Sequence, residues 1–192
     1  MAHTIYNINN KITQHNDQDL IRIFNNCFHN SYNTILQGGA PEPLYTPADE
    51  AQPARIDYRD DYFASALHEI AHWCIAGKQR RLQEDFGYWY EPDGRSHEQQ
   101  ALFEKVEVKP QAMEWIFSLC CRAPFRISAD NLMTGNSCSD TFRLAVEQQA
   151  RNYLMNGLPE RAGVFARALA DFYRSGEYPT LAELPQKRSV PA

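Results

Sequence analysis

The sequence has no Cys-x-x-Cys pair, and its cysteines are an odd five: Cys27, Cys74, Cys120, Cys121 and Cys138. This excludes a paired-cysteine metal or redox motif and an even disulfide framework, and it points to reduced, buried thiols in a cytoplasmic protein. No apolar run is long enough to span a bilayer, and the polar N-terminus lacks the apolar stretch of a secretion signal. Excess positive charge is missing as well. With 19 Lys and Arg against 24 Asp and Glu, the formal net charge of −5 argues against direct nucleic-acid binding. No internal repeat is present. What is there suits one globular domain: 192 residues, 12% of them aromatic, enough to bury a core without staples, and expected as a monomer.

The most informative stretch runs from Tyr62 to Gly77 and contains His68-Glu69-Ile70-Ala71-His72, the pattern H-E-x-x-H. On a helix the two histidines lie one turn apart on the same face, so both imidazoles reach one metal ion. Glu69 then projects beside the open side of the ion, where it can handle a proton or hold a water. Phe63, Ala66, Leu67, Ile70 and Trp73 form an apolar stripe next to the histidines, and no proline or glycine interrupts before Gly77. Gly77 reads as a stop, with Lys78, Arg80 and Arg81 suited to the negative end of the helix.

Residues 1–16 are polar and without period, and are expected to be irregular. His15-Asn16-Asp17 imitates the H-x-D of jelly-roll iron oxygenases, but too few residues precede it to supply the strands that motif needs. Asp17 reads instead as the N-cap of a helix carrying Leu20, Ile21, Ile23, Phe24, Cys27 and Phe28. From Tyr32 to Tyr58 the pattern predicts short strands at Thr34–Leu36, Leu44-Tyr45 and Arg55–Tyr58, separated by Gly38-Gly39 and proline-rich loops. A strand running past a metal cleft also offers edge pairing to an extended substrate. Tyr88-Trp89-Tyr90, before a Pro92-Asp93-Gly94 turn, read either as packing or as a cleft wall.

Ser96 and Gln99 make a capping box for a helix reaching Arg122, with Leu102, Phe103, Val106, Met113, Ile116 and Phe117 on one side and Pro110 expected to kink or divide it. Asp140 is the expected cap of a helix through Leu154, and Gly157 and Pro159 separate it from a last helix ending near Tyr173. The expected architecture is α+β: one mostly helical domain over 17–184, with a small sheet beside the metal helix and a loose tail at 185–192.

Two imidazoles need a third protein donor. The candidates are His97, Glu98, Glu104, Glu107 and Glu114. His97 and Glu98 fall in a first helical turn, where an acid serves the dipole in any case. Glu104 adjoins Lys105 and reads as solvated. Glu107 lies between Val106 and Val108 beside the apolar stripe, where a carboxylate needs compensation from an ion or from a salt bridge such as Lys109. The donor set by itself fits an iron oxygenase and a zinc metallopeptidase or amidase alike.

Longer strings carry a resemblance. His68 to Lys78, Asp85-Phe86-Gly87-Tyr88-Trp89-Tyr90, Phe103 to Ala112, Asn156-Gly157-Leu158-Pro159-Glu160-Arg161 and Leu44 to Asp49 together resemble the bacterial elongation factor P hydroxylases over roughly Ile21 to Tyr173. The resemblance implies a fold related to zinc peptidases rather than the jelly roll, and a metal-dependent hydroxylase that adds oxygen to the β-lysylated lysine of elongation factor P. It carries the ligand roles onto His68, His72 and Glu107. Two histidines and a carboxylate on one face match non-haem Fe(II) chemistry with dioxygen, with zinc as an occupant of purified protein. Glu69 then becomes a catalytic proton carrier, and Tyr88, Trp89 and Tyr90 become walls for the long modified lysine.

Overall fold

Asn16, in extended conformation (φ −115°, ψ 126°), accepts the Gln18 amide and starts α1, Asp17–Tyr32. The cap is therefore one residue earlier than the sequence suggests. Asp17 is instead buried and accepts a 2.5 Å hydrogen bond from the Tyr58 hydroxyl, a tertiary partner that local pattern cannot reveal. The computed structural model describes residues 15–85, 96–128 and 139–185, and at His97 the backbone alone. Leu20, Ile23, Phe24 and Phe28 form the buried side of α1, and Asn33 turns the chain out of it in the left-handed region (φ 47°).

Three strands follow: β1, Thr34–Ala40; β2, Leu44–Thr46; and β3, Ala54–Arg59. The sheet order is β1-β3-β2, with β1 parallel and β2 antiparallel to the central β3. β1 is longer than expected and runs through Gly38 and Gly39. Gly38 is needed there for contact, since a Cβ on it would come within 2.5 Å of the Tyr58 hydroxyl. Gly39 takes φ 91° where the register with β3 shifts between Gln37 and Ala40.

The H-E-x-x-H stretch is α2, Phe63–Ile75, with Ala66, Leu67, Ile70, Ala71, Trp73 and Cys74 buried. It ends without a left-handed glycine: Ala76 is extended (φ −56°, ψ 123°), and Gly77 lies beyond the cap. The exposed carbonyls are met by arginines. Arg161 donates to Cys74 O at 3.1 Å and Ala76 O at 2.5 Å, and Arg81 donates to Ala76 O at 2.7 Å. Arg80 pairs with Asp85.

α3, His97–Cys121, opens with the expected Ser96/Gln99 capping box. Pro110 does not divide it. The proline is buried inside one continuous helix, which packs against α2, α4 and α5, and those contacts outweigh the lost backbone donor. α4, Asp140–Asn156, is capped by Ser139, not Asp140: its hydroxyl oxygen accepts Phe142 N at 3.0 Å. α5, Glu160–Arg174, brings Phe165 to the aromatic centre formed with Phe24, Phe28 and Trp73, and Phe117 packs edge-on against Phe165. The architecture is thus α+β, mostly helical with one small sheet. Among the described residues no helix is long and apolar enough to cross a membrane, and Cys27, Cys74, Cys120 and Cys121 are free thiols, the last three buried.

Candidate metal centre

Two helices build the site. On α2 the 3.6-residue period stacks His68 over His72, with ring centroids 4.6 Å apart and Nε2 atoms 3.0 Å apart. α3 packs across them and presents Glu107, only 3% exposed, with Oε1 3.2 Å from His72 Nε2 and Oε2 3.5 Å from His68 Nε2. One donor atom from each of the three residues lies within 4.8 Å of the others. Such a set fits a divalent ion held by two imidazoles and a carboxylate. It also gives a buried carboxylate the compensation it needs.

The electrostatics follow from this crowding. Burial alone would push the Glu107 carboxyl up, but the hydrogen bond and charge of His72, the charge of His68 and the Gln111 amide reverse it and hold the group at about 2. Burial works against the His68 cation, yet the hydrogen bond and charge of Glu114, followed by Glu107 and Glu69, push its pKa up to about 10. Burial pushes the Glu69 carboxyl up, against the pull of the two histidines.

The other acids considered for the third position go elsewhere. Glu98 is exposed in the first turn of α3. Glu104 is half-buried, and beyond the solvation that its neighbour Lys105 suggested it accepts the Ser139 hydroxyl at 2.6 Å and so ties α3 to the cap of α4. The side chain of His97 lies outside the described residues. Glu114 does reach the site, but through His68, with Oε2 2.8 Å from His68 Nδ1. Gln111 donates to Glu107 Oε2 at 3.4 Å while its amide clasps the Ser128 backbone at 2.7 and 3.1 Å. Sequence reasoning weighed Glu114 only as a ligand and passed over Gln111. The signal was there in the spacing, since positions 107, 111 and 114 follow i, i+4, i+7 and share one face of a helix.

His72 stands between two hollows. One is small and includes Glu69, Trp73, Leu44, Tyr45 and Ile56, with Arg80, Arg81 and Asp85 around it. The other is a groove of about 910 Å³ that borders His72, Val106, Lys109 and Pro110 on one side and Phe142 and Ala145 of α4 on the other. The edge of β2 is not free at Tyr45, where Asp85 exchanges two backbone hydrogen bonds of 2.8 and 3.0 Å with it. Tyr88, Trp89 and Tyr90 lie outside the described residues.

A sequence model of the family described as Elongation factor P hydroxylase matches residues 23–183. The chain is also 48% identical, over 171 residues, to the curated Elongation factor P lysine hydroxylase of Haemophilus influenzae, an alignment covering 88% of this chain and 96% of that protein.

Proposed function

The chain belongs to the elongation factor P hydroxylase family, and from that premise we propose that it is a metal-dependent hydroxylase of elongation factor P, acting on the lysine that already carries a β-lysyl group. The observation that carries this reading is the convergence of His68, His72 and Glu107 on one point between α2 and α3. These three residues hold Fe(II). When bound, iron supplies the redox capacity that hydroxylation with dioxygen requires and that zinc lacks.

The chain's own residues prepare the site. Glu107 presents two carboxylate oxygens held against two imidazoles, so little reorganisation is left when an ion arrives. Glu69 shares the small hollow with His72 and holds or moves a proton at its carboxyl. Tyr88, Trp89 and Tyr90 wall the apolar stem of the modified lysine, and the acidic net charge complements its amines. Selectivity comes from reach, because an unmodified lysine is too short to arrive at the ion. On this reading the protein works in the cytoplasm as a monomer, with elongation factor P as its partner and no direct contact with nucleic acid or membrane.

The test is the intact mass of elongation factor P, with and without the β-lysyl group, after incubation in air with this protein, Fe(II) and a reductant. One added oxygen atom on the modified form alone is expected, and none with His72→Ala. Equal oxidation of the unmodified form overturns the argument from reach. Peptide cleavage supported by zinc without oxygen uptake would overturn the hydroxylase reading in favour of a hydrolase.

A further inference from the structure

His68 has two nitrogens with different neighbours. Nε2 faces His72 Nε2 at 3.0 Å and Glu107 Oε2 at 3.5 Å, the point where the donors converge. Nδ1 faces away from it, 2.8 Å from Glu114 Oε2. Glu114 is 9% exposed, and its ion partner is His68. A carboxylate placed so deep is expensive to bury unless it is paired and hydrogen-bonded, and His68 is the partner that does this.

What the pairing does to His68 follows from imidazole chemistry. A neutral imidazole carries one proton, on either nitrogen. A carboxylate can only accept, so Glu114 draws that proton to Nδ1 and leaves the lone pair on Nε2, turned toward Glu107 and His72. The brace and the carboxylate ligand also share a backbone. Glu107 and Glu114 lie two turns apart on α3, so a rotation of His68 that served one would break its geometry with the other. The ring itself comes from α2, and the pair therefore fixes the relative setting of the two helices at the site.

We propose that Glu114 is a positioning residue for His68: through Nδ1 it selects the tautomer and ring orientation in which Nε2 binds the metal, and thereby sets metal affinity. The proposal rests on the metal reading above and goes beyond it, since Glu114 touches neither ion nor substrate.

Titration of metal-free protein with Co(II), followed by its visible absorption, separates the two. Wild type is expected to bind, and His68→Ala is expected not to. Glu114→Ala should weaken Co(II) binding by about 10- to 100-fold. Glu114→Gln, whose amide oxygen still accepts the Nδ1 proton, should recover most of that loss. Two-bond proton–nitrogen spectra of zinc-loaded protein should show His68 bound through Nε2 and protonated at Nδ1 in wild type and in Glu114→Gln, with a fraction of His68 unbound or bound through Nδ1 in Glu114→Ala. Wild-type affinity in a folded Glu114→Ala overturns the proposal. So does a folded Glu114→Gln as weak as the alanine variant, since charge and not positioning would then be at work. If the alanine variant does not fold, the wild-type spectrum decides alone, and a bare Nδ1 there overturns it. Equal Co(II) binding by wild type and His68→Ala would instead overturn the metal reading itself.

Discussion

On one side of α2 the indole of Trp73 lies 5.2 Å from the ring of Phe24 and 4.9 Å from that of Phe28, with the Arg161 guanidinium 4.5 Å over it. On the other side, His72 and His68 meet Glu107 and Glu114 across α3. The first face is stabilised simply by leaving water, at about 25 cal/mol per Å² of apolar surface. The second loses free energy on leaving water unless each charge finds a partner. A single helix thus joins a surface that stabilises the fold to one that burdens it, and the division of labour teaches where each kind of damage will appear. Loss of the aromatic side should be felt by the whole molecule. Loss on the polar side should be felt by the ion.

A pair of variants breaks this comparison most strongly. Glu107→Ala is expected to abolish stoichiometric metal binding and lower hydroxylation more than about 100-fold, exceeding the effect of a residue that acts through a ligand. Phe24→Ala, at a fully buried ring, should cost about 3–5 kcal/mol of folding stability. Below its melting temperature it should still bind metal at the same stoichiometry. Metal analysis and thermal melts of both proteins check this, and loss of metal by folded Phe24→Ala would show that the faces are not separable.

Arg161 sharpens the comparison because it serves both sides. It stacks on Trp73 and also holds the last carbonyls of the helix that carries His72. Arg161→Met keeps much of the apolar contact but leaves those carbonyls with one donor fewer. A loss of about 2 kcal/mol in denaturant melts is expected, with a smaller decrease in metal affinity.

A further effect is in pH. In metal-free protein the pKa of His68 stands at about 10, above its ordinary 6.5. The stability it contributes is therefore complete below about 6.5 and is lost as pH rises through about 10. Glu107, at about 2 against an ordinary 4.5, contributes stability that is present above about 4.5 and lost as pH falls through about 2. On the proposed reading, a metal bound at His68 would have to displace its proton. The melting temperature of metal-free protein should accordingly decline between pH 6.5 and 10, while the increase caused by added Zn(II) grows over the same range. Differential scanning calorimetry across that range measures both trends, and a flat metal-free curve would contradict the charge arrangement.

Much of this molecule could be read before any coordinates. The H-E-x-x-H pattern and its apolar stripe specify an amphipathic helix because period and spacing are properties of a few adjacent residues, and Ser96 with Gln99 marks the start of α3 for the same reason. The α+β class follows from the sum of such local signals. Where local rules pointed to Asp17 as a cap or allowed Pro110 to divide its helix, distant partners decided otherwise: the Tyr58 hydroxyl claimed Asp17, and packing on several sides carried α3 through its proline. The resemblance singled out Glu107 among the acids of α3, but local pattern could not assign the tasks of the others, since Glu104, Glu107 and Glu114 all lie on one helix of suitable period. Which of them meets the ion site, which braces a histidine and which ties down Ser139 depends on how α3 is rotated against α2 and α4. That rotation is set by side chains far apart in the chain, and so it was decided by the tertiary structure alone.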